Sequence, residues 1–315
     1  MAGTRTEPRP ERDRQFPIGH HVVCIVDILG QTEKLRNWAE SPPYGSPQAE
    51  FIDALRKTSG TVLALCDIFN NYLSQFSDTS RSEDLMACLT VEQRKTLERI
   101  QDNRLCTQQF GDTFLFYASL ANNYGDITMV PMYGMLAACG MVMTLGLASH
   151  VPLRGAISVG LGMEIDDGKF YGPALADVHH IESKVAEYPR IVVSDQAIEF
   201  AKADFRFSAN PPIEQIREIE QLNQQTGKLC RALMHKDTDG QMIVNFMGEP
   251  MRELALSTRE TFPVKEAYQF VQAERNRFVA AGDKKHADRY RRLLGYMAAR
   301  LPLWGLSPEN IGDGA

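Results

Sequence analysis

The stretch HHVVCIVDILGQT, residues 20–32, combines an apolar run with a single carboxylate. Its β-branched residues are typical of a strand that is buried on both faces. Asp27 interrupts the run near its end, and burying an isolated carboxylate is costly unless it is paired, neutralised or bound to a metal. Two interpretations follow: Asp27 caps the turn that ends the strand, or it binds a cation there.

The composition is that of an ordinary globular protein. The chain has 315 residues, of which 43% are hydrophobic and 23% charged, and its formal net charge is −6. This balance argues against a protein that binds nucleic acid non-specifically. The six cysteines lack the spacing of a zinc site, and residues 1–17 lack the apolar region of a secretory signal. We therefore expect a disordered arm over 1–17 and a cytoplasmic location.

Residues 127–153 contain no Asp, Glu, Lys or Arg. The segment is long enough to cross a bilayer. However, it is rich in Gly, Ala and Met, and no Trp, Lys or Arg anchors its ends. We therefore predict a buried helix packed on a sheet rather than a membrane span.

The order of the predicted elements indicates an α+β fold, with helices packed on an antiparallel-rich sheet. A core is predicted over 18–200, and it contains a polar insertion at about 77–104. An extension follows over 201–315, with a hairpin that turns at Asp239-Gly240 and a helical pair broken at Gly282. The core elements, in order, are a strand (21–29), a long helical segment from Ser46, a hairpin (105–120), the apolar helix, a strand pair (153–165 and 168–172), a helix (172–188) and a strand (190–194).

A second carboxylate, Asp112, lies at the predicted hairpin turn in FGDTFLFY, residues 110–117. If this hairpin pairs beside the first strand, Asp27 and Asp112 meet at one end of the sheet. Two carboxylates and a backbone carbonyl suit Mg²⁺ or Mn²⁺. Two such ions can activate an attacking hydroxyl and neutralise a triphosphate. The alternative for Asp112 is a simple turn-forming role.

Four motifs, in order over about 20–195, resemble those of the class III nucleotidyl cyclases. VDILGQT resembles the first metal motif of that family, and FGDTFLFY resembles the second. LRGAISVG is similar to the family strand R-[IV]-G-[IV]-H-x-G, and YGPALADVHHIES to the helix G-x-x-V-N-x-A-x-R-L-E. The resemblance implies a cyclase-like sandwich and a homodimer with active sites at its interface.

The resemblance also implies the residues of the site. Asp27, Asp112 and the main-chain oxygen of Ile28 would hold two Mn²⁺ or Mg²⁺ ions. Backbone amides of the turn would bind the triphosphate, as oriented amides do for anions. That turn comprises Ile28, Leu29, Gly30, Gln31 and Thr32.

Several positions depart from the purine cyclases of the family. Where those enzymes read the base with Lys and Asp, this chain has Gln108 and Lys169, which the resemblance implies would contact the substrate base. The alternative is an exposed strand Gln and a solvated loop Lys. Ala176 stands at the position of the catalytic Asn, and His180 at that of the Arg that stabilises the transition state. Arg154 begins the LRGAISVG strand and is a candidate catalytic contact to phosphate; its alternative is an ion pair at the strand edge.

A narrower resemblance is to the pyrimidine cyclases of bacterial Pycsar antiphage systems. It lies in RGAISVG, GPAL…IESKVAEYPRIVVS, KDTDGQMIVNF and VKEAYQFVQAERN. It implies conversion of UTP or CTP to the 3′,5′-cyclic nucleotide and pyrophosphate, and a separately encoded effector that reads this messenger. The alternatives are a diverged purine cyclase, a nucleotide-binding module without activity, or a palm-like polymerase or diguanylate-type domain.

Overall fold

A computed structural model describes residues 18–30, 105–121, 127–165, 169–203, 214–258 and 262–311, together with positions 60, 64, 67–69, 71 and 91. Several predictions lie outside the described residues. These are the arm over 1–17, the turn residues Gln31 and Thr32, most of the helical segment from Ser46, and almost all of the insertion at 77–104.

The centre of the described structure is an eight-stranded sheet in the order β2-β3-β1-β4-β6-β8-β7, with β5 paired to β4. Every pairing between these strands is antiparallel except that of β4 with β6. The predicted α+β fold with an antiparallel-rich sheet is therefore confirmed. The strands are β1 (Ile18–Ile28), β2 (Leu105–Phe110), β3 (Thr113–Ser119), β4 (Leu153–Ile165), β5 (Lys169–Tyr171), β6 (Ile191–Val193), β7 (Met234–Lys236) and β8 (Met242–Val244).

The helices pack on this sheet. α2 ends at Lys184, four residues before the predicted end, and the carbonyl oxygen of Val185 accepts a hydrogen bond from Arg190. The helices are α1 (Val130–Ala148), α2 (Pro173–Lys184), α3 (Asp195–Lys202), α4 (Glu214–Ala232), α5 (Glu249–Thr258), α6 (Val264–Ala280), α7 (Lys284–Ala298) and α8 (Pro308–Ile311), with a 3₁₀ turn at Leu301–Trp304.

Both faces of β1 are buried, which explains its unbroken apolar run. Val22, Cys24 and Val26 belong to the core cluster that contains α1. Val23 and Ile25 belong to a second cluster, which contains Ala174 and Val178 of α2. Because side chains alternate along a strand, Asp27 falls on the α2 face.

The apolar helix α1 is the one described helix that is long and apolar enough to cross a membrane, with a mean hydropathy of 1.6. It is nevertheless 83% buried within the protein. α6 packs against it, and Cys139 lies 3.5 Å from Cys24 of β1, measured between the sulfur atoms. The prediction of a helix buried on the sheet is confirmed.

The extension contributes to the same sheet and the same core. β8 pairs with β6, and β7 pairs with β8 across the predicted turn at Asp239-Gly240. α6 and α7 form the predicted helical pair, which turns at Gly282 with a positive φ of 71°. Residues of α6 and α7 belong to the core cluster that also contains α1.

Candidate active site

Asp27 lies near the end of β1, directly opposite Thr113 of β3 and Arg154 of β4. The Thr113 hydroxyl donates to Asp27 Oδ1 at 2.8 Å, and Arg154 Nη2 donates to Asp27 Oδ2 at 3.1 Å. The carboxylate is 18% exposed. Its partners among the described residues are thus side chains of the two neighbouring strands.

Asp112 lies in the turn between β2 and β3, beside Asp27. Its main-chain oxygen accepts a hydrogen bond from the Ile28 amide at 3.3 Å. Burial raises the pKa of Asp27, the Thr113 hydrogen bond and the Arg154 charge lower it, and the Asp112 charge raises it further. The pairing of β3 with β1 therefore brings the two carboxylates to one end of the sheet, as the sequence predicted.

The turn after β1 is held by main-chain hydrogen bonds. The Ile28 amide donates to Asp112, and the Leu29 amide donates to the Pro152 oxygen at 2.9 Å. Gly30 follows with a positive φ of 84°. Because the Ile28 and Leu29 amides are engaged within the chain, the predicted triphosphate cradle depends on the amides of Gly30 and of the two residues after it.

Arg154 joins Asp27 to a second carboxylate, Glu182 of α2. Its Nη2 lies 2.7 Å from Glu182 Oε1, and the Glu182 side chain is 8% exposed. Burial raises the pKa of Glu182, the positive charge of Arg154 lowers it, and the negative charge of Asp27 raises it. One guanidinium is thus shared by two carboxylates, which is the ion pair that the sequence offered as the alternative role of Arg154. Its Nε is buried without a hydrogen-bond partner among the described residues.

Small residues in β4 allow this close assembly. A Cβ added at Gly155 would collide with the main-chain oxygen of Ile25 on the neighbouring strand. One added at Gly160 would come within 3.3 Å of the Ala174 Cβ at the start of α2. The glycines of LRGAISVG therefore let β1 and α2 approach β4, which places Asp27, Arg154 and Glu182 together.

The predicted base-reading residues lie apart from one another. Gln108 of β2 pairs with Leu115 of β3 and shares the α2 face of the sheet, because it follows Cys106 by two positions. Lys169 pairs with Ile165, at the other end of β4 from Arg154. Ile165 lies eleven positions after Arg154 in the strand, which is about 35 Å at the usual rise per residue. A single chain does not bring Lys169 to Asp27.

Ala176 and His180 are exposed on α2. The two positions therefore belong to the outer side of that helix, away from the sheet. Neither joins the assembly of Asp27, Arg154 and Glu182.

The donor chemistry at the end of β1 fits a hard divalent cation, since Asp27 and Asp112 offer only oxygen ligands. Within the described ranges, no group of three or more His, Cys, Asp and Glu side chains is arranged to hold a metal. Arg154 already places a positive charge on Asp27. A cation that binds there would share Asp27 with Arg154, while Glu182 keeps the guanidinium in place.

Sequence reasoning missed Thr113 and Glu182. Thr113 follows Asp112 and comes opposite Asp27 as soon as the hairpin pairs with β1. Glu182 stands four residues after Val178, one helical turn along the face that packs on the sheet. The sequence signal that could have identified Glu182 is a carboxylate on the otherwise apolar face of a helix.

Comparison with known proteins gives little information about the family of this chain. No protein-family model matches the chain, and no curated protein matches it. Among solved structures, the catalytic core of a rhodopsin-guanylyl cyclase with converted specificity, in complex with ATPalphaS, is similar over 62% of this chain and 88% of that chain. The two are 10% identical with a TM-score of 0.34, a similarity too weak to carry an argument.

Proposed function

We propose that this chain is a metal-dependent nucleotidyl cyclase with its active site at the end of β1. The observation that supports the proposal is the meeting of Asp27 and Asp112 where β1 and β3 pair. These carboxylates belong to the two motifs that resemble the metal motifs of class III cyclases. They lie on the α+β sheet that the order of elements in the sequence predicted.

In this proposal, Asp27, Asp112 and the main-chain oxygen of Ile28 hold Mn²⁺ or Mg²⁺. A bound ion of this kind lowers the pKa of a ribose hydroxyl and neutralises phosphate charge. In the reaction, the ribose 3′-hydroxyl would lose its proton to water, its oxygen would bond to the α-phosphorus, and the bond from that phosphorus to the leaving pyrophosphate would break. Arg154 would contact the phosphates after a rearrangement of its side chain, because its buried Nε has no hydrogen-bond partner among the described residues and would gain one from an incoming acceptor.

The proposed substrates are UTP or CTP, as the resemblance to Pycsar cyclases implies. Gln108 and Lys169 replace the residues with which purine cyclases read the base. Lys169 and His180 reach a site only if a second copy supplies them, so the proposal includes a homodimer with interfacial sites. The product would serve in the bacterial cytoplasm as a messenger for a separately encoded effector of antiphage defence.

Mass spectrometry of the products tests this function. The purified chain is incubated with ATP, GTP, CTP and UTP plus Mn²⁺, beside Asp27→Asn and a control, Asp195→Asn, which changes an exposed carboxylate on α3. We expect a cyclic pyrimidine nucleotide that Asp27→Asn abolishes and Asp195→Asn leaves unchanged. A cyclic purine would retain the cyclase and reject the pyrimidine specificity. Absence of any product from folded, dimeric protein would contradict the enzyme.

One observation favours a second function, that of a nucleotide-binding module without activity. Arg154 pairs with both Asp27 and Glu182 without any metal, so Asp27 already has a positively charged partner when no cation is bound. Titration of a nucleoside triphosphate in EDTA separates the two functions. Binding that needs no divalent ion, survives Asp27→Asn and is lost in Arg154→Gln would support the module at this site, because the binding would then depend on the guanidinium beside Asp27.

A further inference from the structure

A cavity of about 890 Å³ lies in the extension, between α7 and the β7–β8 hairpin. His235, Asn245 and Tyr296 contribute to its wall, together with Arg291, Arg292 and Arg300. Its volume is in the range of pockets that take ligands of drug or nucleotide size. No predicted site residue lines it.

Arg300 is held in place and keeps donors to spare. Its Nε donates to Asn245 Oδ1 at 3.1 Å, and its Nη1 donates to the main-chain oxygen of Tyr296 at 2.9 Å. Its guanidinium lies 3.9 Å from the centre of the Tyr296 ring. Tyr296 is also hydrogen-bonded to Asn245. These contacts leave Nη2 available, and no carboxylate among the described residues pairs with Arg300.

The other charged side chains of the cavity form ion pairs with residues outside its wall. Asp237 and Asp239 both bind the buried Arg190, and Glu249 binds Arg252. Arg291 and Arg292 share the single carboxylate of Asp288. Two aspartates share one arginine and two arginines share one aspartate, so these groups nearly balance, and the positive charge left without a carboxylate partner among the described residues is that of Arg300, just after α7. A guanidinium is well suited to phosphate and carboxylate groups.

The floor of the cavity is open because of Gly295. This residue lies one turn before Ala299 on α7, and a Cβ added to it would meet no atom within 4 Å. Between Arg291 and Arg300, the helix thus presents its backbone and two small residues to the space.

We propose that this cavity is a second ligand site, which binds a small molecule bearing phosphate or carboxylate groups through Arg300 and its neighbours Arg291 and Arg292. The site is separate from the proposed cyclase site: β8, which leads into Asn245, is the third strand from β1, or about 14 Å at the usual strand spacing. The arginines need no metal, whereas the Asp27 site does.

Calorimetric titration of the full chain in EDTA tests the second site, with inorganic pyrophosphate and ADP as probes. We expect binding of at least one probe, and Arg300→Gln should weaken it by about tenfold or more, since hydrogen bonds to charged groups are strong. Gly295→Leu should weaken binding, because its side chain would occupy part of the space beside Arg291 and Arg300. Because this change also replaces a helix-interior glycine, it should leave the melting temperature unchanged or higher.

Two controls make the result specific. Arg275→Gln makes the same chemical change on the exposed side of α6, and Asp27→Asn alters the proposed cyclase site; both should bind like the parent chain. The proposal is rejected if neither probe binds, if Gly295→Leu binds normally, or if Arg275→Gln weakens binding as much as Arg300→Gln. Loss of binding in Asp27→Asn alone would place the ligand at the end of β1 and equally reject the second site. None of these results depends on cyclase activity.

Discussion

Arg154 is shared by Asp27 and Glu182, so its removal leaves two carboxylates together in a largely buried place. We predict that Arg154→Gln lowers the free energy of unfolding by about 1–3 kcal/mol in the absence of metal. A divalent cation should replace the missing positive charge, so Mn²⁺ should raise the melting temperature of the variant more than that of the parent chain. Thermal unfolding with and without Mn²⁺ measures both effects, and an equal response of the two proteins would argue against a cation site at Asp27.

Asp239 offers a test at a second residue, because its pKa departs from the ordinary value. Burial alone would raise the pKa of Asp239, but hydrogen bonds from Arg190 and from the Gln241 amide hold it below its ordinary value. The resulting stabilisation is present in full above the unfolded-state pKa and is lost as pH falls through the lower pKa of the folded state. We predict that Asp239→Asn costs about 1–2 kcal/mol at pH 7 and progressively less toward pH 3.

Urea denaturation across this pH range checks the prediction. Gln196→Ala, which changes an exposed uncharged side chain on α3, is the control and should show no such trend. A cost for Asp239→Asn that stays constant down to pH 3 would show that its charge contributes nothing.

The sequence predicted the two carboxylates, Asp27 and Asp112, and singled out Arg154, but it did not predict the other residues that contact them. Asp27 was recognisable because a charge in an apolar strand is costly. Thr113 and Glu182 look ordinary in their local surroundings, since their role depends on strands and a helix that are distant in the chain. The choice between a cap and a cation site for Asp27 therefore needed the partners that the fold supplies.

Among the elements, β4 is the one whose backbone leaves least room. A Cβ at Gly155 would strike the Ile25 carbonyl, which belongs to the backbone of β1 and cannot rotate away. We predict that Gly155→Ala costs about 1–3 kcal/mol of unfolding free energy, as overpacking of a core does. Gly295→Ala is the matched control, because open space surrounds that position and alanine favours a helix by about 1 kcal/mol. Denaturant unfolding of both variants compares them; equal effects would contradict the close approach of β1 and β4.

Elements with strong local signals were predicted well. The hairpin at Gly111-Asp112, the strand pair that became β4 and β5, and α1 all follow from turn residues and apolar periodicity. The end of α2 was misplaced because Tyr188-Pro189 marked a stop in the sequence. In the structure α2 ends at Lys184, and Arg190 donates to the carbonyl of Val185, five residues before it. That contact joins side chain to backbone, and propensity does not report it.

In the whole molecule, the extension is part of the sheet rather than an appendage. Arg190 is 2% exposed, and its carboxylate partners, Asp237 and Asp239, come from the β7–β8 hairpin. The sequence predicts domains over 18–200 and 201–315, but these contacts predict that a chain ending at residue 203 does not fold alone. It would expose the edge of β6 and leave a buried guanidinium unpaired, which is strongly destabilising.

Circular dichroism and gel filtration of residues 1–203 test this prediction. We expect aggregation or a non-cooperative melt. A cooperative melt of soluble material would instead support the boundary near residue 200. Co-expression with residues 204–315 is the control, because complementation should restore soluble protein if the interface alone is missing.

The arrangement of the whole molecule was the least accessible from sequence. The resemblance placed Lys169 in the same substrate-binding site as Asp27. Within one chain, however, the length of β4 separates the two residues. Motif order carries no distances, so it does not tell whether residues of one site come from one copy or two.

The burial of β1 on both faces has a consequence for how such a chain changes over generations. From Val22 to Val26 every side chain is at most 4% exposed. Nearly any polar substitution there therefore destabilises the fold, and the loss of folded protein outweighs any change in activity. Selection on this segment therefore acts mainly through the amount of folded protein. Substitutions that change the substrate are instead expected in the turns and on the exposed side of α2, where folding tolerates replacement.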